Sequence, residues 1–244
     1  SGIGGTILPN AAWRLTWALA SLKNVREEIL IPGFYTDVKR PTPEDLALLA
    51  QLPPATARLR EVFGVSRFLN DIEDGVQFQR AAIFNSSCTI CGLTAGYQGQ
   101  GSKTVIPAQA AAKVDFRLVP DQDPDDIFMK LRHHLDATGF DDIEITCLGK
   151  EKPARTPIRN SFVQMVAEAA RDVYGSTQRL IPMSGGSGPA HLFVDTLGVP
   201  VATVGIGNPN SNIHSPNENI RLEDLFRGVR HTARVITRMH ELTV

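Results

Sequence analysis

Cysteine is scarce in this 244-residue chain, aromatic residues make up only 7% of it, and neither sign of charge prevails. Its 3 cysteines, Cys88, Cys91 and Cys147, are an odd number and too few for a disulfide framework or a four-thiolate zinc site. A reducing cytoplasm is the expected compartment. Lys plus Arg number 25 and Asp plus Glu 26, a net charge of −1, so no basic excess is available to hold nucleic acid. No run approaches the roughly 18 apolar residues of a membrane helix, and a membrane is not an expected partner. What the chain does have is a 42% hydrophobic share, which supports a packed core and excludes a disordered tail or a fibrous repeat. It opens on Ser1 rather than Met, in a glycine-rich stretch leading into apolar residues, and reads as the middle of a longer polypeptide.

Trp13, Leu15, Leu19 and Leu22 form an amphipathic stripe that predicts a helix from near Asn10, with residues 5–8 as a strand before it. Thr42-Pro-Glu-Asp45 has the form of a capped helix start, Pro53-Pro54 ends that helix, and another is expected over 55–63. These belong to a Pro-punctuated helical insertion over about 30–80. Residues 89–93 read as a strand, and 110–119 alternate, placing Ala112, Val114, Phe116 and Leu118 on one face and Lys113, Asp115, Arg117 and Val119 on the other. A helix from Asp123 to Gly139 and a strand over 143–148 follow. Without the insertion the order is β-α-β-β-α-β, the ferredoxin-like layout of a four-stranded antiparallel sheet with both helices on one face.

After a charged linker over 151–157 the pattern becomes α/β: helix 162–174, strands 179–183 and 199–204, and a closing helix 222–242. Two strands do not make an independent doubly wound domain, so the remaining strands are expected to come from elsewhere.

Several motifs carry possible chemistry. The glycines before Lys103-Thr104 do not make a nucleotide-binding loop, because Ser102 stands where that pattern needs glycine and a strand follows where it needs a helix. A hairpin connection is expected, with Lys103 and Thr104 its chemically interesting members. Cys88-Thr-Ile-Cys91 lies within a strand, so its thiols point to different faces and are read as free, buried cysteines. His133, His134, His231 and His240 are read as solvated surface residues. Ser184-Gly-Gly-Ser-Gly-Pro189 lies between a predicted strand and a predicted helix, where free backbone N–H groups suit a carboxylate or an oxyanion; a plain tight turn is the competing reading. Pro189 excludes the serine-hydrolase elbow, which needs glycine there. His214, after a flexible stretch over 205–212, suits a metal ligand, and a structural role fits it equally well.

Five motifs in order, Ile31-Pro-Gly-Phe-Tyr35, Gly99-Gln-Gly-Ser-Lys-Thr-Val-Ile-Pro107, Lys113-Val-Asp-Phe-Arg-Leu-Val-Pro-Asp-Gln-Asp-Pro124, Gly185-Gly-Ser187 and His214-Ser-Pro-Asn-Glu218, make the whole chain resemble the di-zinc aminoacylase and carboxypeptidase superfamily. That superfamily includes carnosinase-type cytosolic dipeptidases, succinyl-diaminopimelate desuccinylase and glutamate carboxypeptidase. The resemblance implies an α/β fold in which residues 1–152 are the ferredoxin-like lid and dimerisation domain, with its helical insertion, and 153–244 the C-terminal part of the zinc-peptidase catalytic domain. It implies His214 as a zinc ligand, Arg117 as the substrate-carboxylate contact, Ser187 and Gly186 in the substrate pocket, and Thr104 reached from the partner subunit of a homodimer. The family's catalytic first half, with its general base and its other metal ligands, has no counterpart here. The implied activity is hydrolysis of dipeptide or acyl-amino-acid amides with two zinc ions in the full-length parent, this chain alone being inactive and holding no zinc stably. A noncatalytic dimerisation or binding module is the alternative. Gly188, where the family often has isoleucine, and the missing histidine before Ser1 are departures.

Overall fold

The computed structural model describes residues 2–176, 178–208 and 210–242. The chain divides into two compact units, Ser1–Pro41 with Pro54–Pro153, and Thr42–Pro53 with Ala154–Val244. Each of the three passages from one to the other falls beside a proline, at Pro41, at Pro53-Pro54 and at Pro153. Fixed φ and a missing N–H stop regular structure at such points. The sequence suggested a single cut between 152 and 153; the excursion over 42–53 divides the helical insertion between the two units.

In the first unit α1 (Ala11–Leu22) begins where Asn10 Oδ1 accepts from the amides of Ala12 at 2.9 Å and Trp13 at 3.3 Å. It buries Ala18 and Leu22. The Ile31–Tyr35 motif is structural: Phe34 is 1% exposed in the core, and the Tyr35 hydroxyl accepts the Ile29 amide at 3.0 Å. Numbering continues with α2 (Pro43–Leu49), which belongs to the second unit, then α3 (Thr56–Phe63) and α4 (Val76–Phe84) in the first. Asp74 accepts the amides of Ala55 and Thr56, capping α3 from 18 residues away. Strands β1 (Ser87–Ala95) and β2 (Ala110–Arg117) pair antiparallel from Ser87 opposite Arg117 to Ala95 opposite Ala110, with a bulge between Ile90 and Gly92. Asp123 caps α5 (Pro124–Ala137), whose first residue is proline. One core joins α1, α5 and the inner face of the strands: Leu22, Ile31, Phe34, Cys88, Ile127, Leu135 and Phe140, with Val114, Phe116 and Leu118 packed on it.

Two expected strands of this unit are not strands. Residues Gly4–Thr6 form a 3-10 turn, the amides of Ile7 and Leu8 both donating to the Gly4 carbonyl. Residues 143–148 make no ladder; Arg132 Nη1 takes the Ile143 carbonyl at 2.5 Å, and Ile143 and Ile145 still pack on the core. Among the described residues the sheet has two strands. His134 is also buried, with Nε2 3.0 Å from Ser21 Oγ, and not the surface residue expected.

The second unit is built on α6 (Ser161–Tyr174), capped by Asn160 and closed by left-handed Gly175, against α7 (Leu222–Arg238). Val163, Met165, Val166, Ala169 and Ala170 form the buried stripe of α6. His231, expected on the surface, lies 3% exposed with Nε2 3.0 Å from the Val166 carbonyl and its ring edge-on to Tyr174. Expected strands 179–183 and 199–204 do not form; the Val201 amide donates to Thr156 Oγ1 and the Val199 amide to the Phe193 carbonyl, which takes both out of any ladder. The far side of α7 carries Leu222, Phe226, Val229 and Ile236, all exposed at helical spacing.

Helix α2 joins this unit through charge. Its third residue, Asp45, completes a capping box with Thr42, whose amide donates to the carboxylate at 2.9 Å. The same carboxylate accepts Nη1 of Arg155 at 3.2 Å and also Nη2, and it is 2% exposed. One residue earlier, Glu44 accepts Nε of Arg159 at 2.8 Å. Burial alone would push the Asp45 carboxyl up, but the Arg155 guanidinium and the two Thr42 bonds outweigh it and hold it below the usual carboxylate range. A lowered folded-state pKa gives stability that is complete above about pH 4 and is lost as pH falls through the folded value. Asp45→Ala should destabilise the second unit by about 3 kcal/mol, as expected when one partner of a buried pair is removed. In thermal melts the gap between wild type and Asp45→Asn should narrow as pH drops below about 4; a gap that is unchanged with pH contradicts the assignment.

Candidate functional site

Alternation in β2 turns Val114 and Phe116 inward and so turns Lys113, Asp115 and Arg117 outward. Arg117 closes the strand opposite Ser87, half-exposed, and its Nε donates to Asp115 Oδ2 at 2.7 Å. This i, i+2 pair lies on one face of one strand and orients the guanidinium without removing it from water. The link between β1 and β2 is the expected hairpin connection, and it presents Lys103 and Thr104 in the open. Its course depends on Tyr97, whose hydroxyl donates to the Gln100 carbonyl at 2.9 Å and whose ring has Lys103 Nζ 5.9 Å from its centre. A side chain at Gly99 would meet Tyr97 Oη at 2.5 Å, so the tyrosine ring would have to move to admit one.

In the second unit Gly186 and Ser187 lie exposed on the 184–189 loop. The expected row of outward N–H groups is reduced, since the Gly186 amide donates to Ser184 Oγ at 3.1 Å. The loop does not start a regular helix either: after the Leu192 amide bonds the Pro189 carbonyl, Leu192–Thr196 forms a single π-helical turn.

His214 stands exposed on the loop over 205–219, with φ at +61°. The base of the loop is fixed by α7, where Gly228 leaves room for Ile206: a Cβ on Gly228 would stand 2.3 Å from Ile206 Cγ2. The donor chemistry of His214 fits one metal ligand. Among the described residues no group of three or more His, Cys, Asp or Glu could hold an ion, so the chain offers that imidazole without the set a zinc site needs. The cysteines do not add to it: all three are free, Cys91 and Cys147 are exposed, and burial pushes the Cys88 thiol up to about 11, which keeps it protonated near neutrality.

Arg117 and Thr104 thus belong to the first unit, and Gly186, Ser187 and His214 to the second. The sequence did not lead to the Asp115 contact of Arg117, although opposite charges at i and i+2 on an open face were a signal for it.

Residues 18–238 match the model of Peptidase family M20/M25/M40. The chain belongs to this family. It is 26% identical over 245 residues to the Cys-Gly metallodipeptidase of Saccharomyces cerevisiae, covering 96% of this chain and 49% of that protein. To the Beta-Ala-His dipeptidase of Homo sapiens it is 24% identical, covering 99% of itself and 48% of the relative. Among solved structures it superposes on an M20 family metallo-carboxypeptidase from Sulfolobus solfataricus with a TM-score of 0.91 and 34% identity, over 96% of this chain and 54% of that one. Human carnosine dipeptidase 1 shares the fold, with a TM-score of 0.78 at 24% identity and 52% of its chain covered. The chain therefore spans about half the length of the curated relatives it matches.

The Gly228 contact gives a test. Replacing a helix-interior glycine by alanine ordinarily gains about 1 kcal/mol, yet here the clash with Ile206 should outweigh the gain and leave Gly228→Ala about 1 kcal/mol less stable. Adding Ile206→Ala should return the helical benefit in a double-mutant cycle of melts, whereas a Gly228→Ala chain that melts higher than wild type refutes the contact.

Proposed function

We propose that the chain is the C-terminal half of a zinc-dependent M20 amide hydrolase that acts on dipeptides or N-acyl-amino acids. On this reading residues 1–152 serve as lid and dimerisation domain and 153–244 as the last part of the catalytic domain, in a cytoplasmic homodimer. One observation carries it: a chain that covers about half of its relatives also leaves Leu222, Phe226, Val229 and Ile236 of α7 uncovered, an apolar stripe of the kind that further chain normally packs against. Lid pairing is supported by Trp13 and Trp17, stacked at 5.7 Å yet more than half exposed on α1.

Each residue then has a task. Arg117 receives the substrate carboxylate, its planar fork steadied by Asp115. Thr104 contacts substrate from the partner's lid, Gly186 and Ser187 line the pocket, and His214 gives one nitrogen to the metal centre. Zinc, when bound in the full-length protein, activates water and polarises the amide carbonyl. Ligands and general base from the missing half complete the site.

The alternative is a dimerisation or binding module without catalysis. Metal analysis of the purified 244-residue chain should return no stoichiometric zinc; two tightly held ions would mean that the site is complete and the half-protein reading wrong. In a full-length parent, Arg117→Ala should lower kcat/KM for free-carboxylate dipeptides about 30-fold to 1,000-fold while the melting temperature stays within a few degrees. Equal loss on carboxylate-amidated substrates would instead make Arg117 structural.

A further inference from the structure

The loop that carries His214 holds three non-glycine residues in the left-handed region within six positions, Asn212 at φ +51°, His214 at +61° and Asn217 at +62°. Such a course persists only where its surroundings impose it. Two residues supply those surroundings. Ser211, 3% exposed, accepts the Asn208 amide on Oγ at 2.8 Å, accepts the Asn219 amide on its carbonyl at 2.9 Å and donates its own amide to Asn208 at 3.0 Å. Asn219 donates Nδ2 to the carbonyls of Asn210 at 3.1 Å and Asn217 at 3.0 Å. The two ends of the loop are thereby tied to each other, and the Ser215 amide closes the inner turn onto the Asn212 carbonyl at 2.9 Å.

We propose that Ser211 and Asn219 are positioning residues that lock the loop over 210–219 and fix where His214 presents its imidazole. The inference rests on His214 being the family's metal ligand for its purpose, but not for its geometry. The hydroxyl of Ser211 has no role of its own toward a ligand: it is buried and directed at the Asn208 amide. Asn219 acts through both amide hydrogens, so aspartate, which has the same shape and no donor, is a poor substitute for it.

The test uses amide hydrogen exchange on the 244-residue chain. Ser211→Ala, Asn219→Ala and Asn219→Asp should each speed exchange at Ser215 and Asn219 about tenfold or more, while amides in α6 and α7 and the melting temperature change little. His214→Ala should leave the protection of the loop as it was. Unchanged exchange in the Ser211 and Asn219 variants overturns the proposal, and so does faster exchange spread evenly over α6 and α7, which would mark both residues as generally structural. In a full-length parent, zinc competition should show affinity about 10-fold to 100-fold weaker in Ser211→Ala and Asn219→Ala, as for other residues that orient a ligand. Wild-type zinc affinity in His214→Ala would refute the ligand role and leave the loop lock standing, so the two failures are separable.

Discussion

A carboxylate withdrawn from water must be answered by donors on several sides, and Asp45 is answered by two groups of Thr42 and two nitrogens of Arg155. The capping half of this arrangement is local and starts a seven-residue helix. The ionic half spans 110 residues of sequence and makes that short helix part of the second unit. Seven residues are too few to be stable as a helix in water by themselves. The excursion over 42–53 therefore depends on a charge contact as much as on Leu49, which is 1% exposed. Glu44 with Arg159 adds a more exposed pair of the kind that contributes little alone and gains from its neighbour.

Helices were legible because their signals are local. Asn10, Thr42, Asp123 and Asn160 each stand at a start, and Gly175 at an end, where a side-chain oxygen or a left-handed φ is required. The strand pair was legible too, since 110–117 alternates and 89–93 is a short apolar run that ends at a glycine-rich turn. Outer strands failed for a reason that alternation cannot express. A segment such as 143–148 has the residues of a strand and packs Ile143 and Ile145 inward, but Arg132, eleven positions earlier, takes a carbonyl that a ladder would need. Competition of that kind is decided in three dimensions.

The histidines show the same division. His134 and His231 sit beside charged residues in sequence, which suggested solvent, yet each fills a buried position with one ring nitrogen bonded, to Ser21 and to the Val166 carbonyl. A helix has a narrow buried stripe, and which residues occupy it is settled by what packs there. Of the candidate site residues, those from the sequence motifs are all placed on exposed loops or strand faces, while three of the residues that hold them, Tyr97, Ser211 and Asn219, lie outside the motifs, and Asp115 lies inside one without having been read as a support. The supports of a motif residue are chosen by local geometry, which leaves no fixed spacing to read.

That separation means that the candidate residues are held from within the units that carry them. The Thr104 hairpin is set by Tyr97 and Gly99, and the His214 loop by Ser211, Asn219 and the Gly228 notch in α7, so each is built from contacts within its own unit. An active site assembled from such independently braced pieces loses catalysis when a piece is missing, because ligand number and proton transfer are properties of the whole constellation. The hydrogen bonds that brace the two loops each run between residues of one unit, so the backbone around Thr104 and around His214 is defined locally.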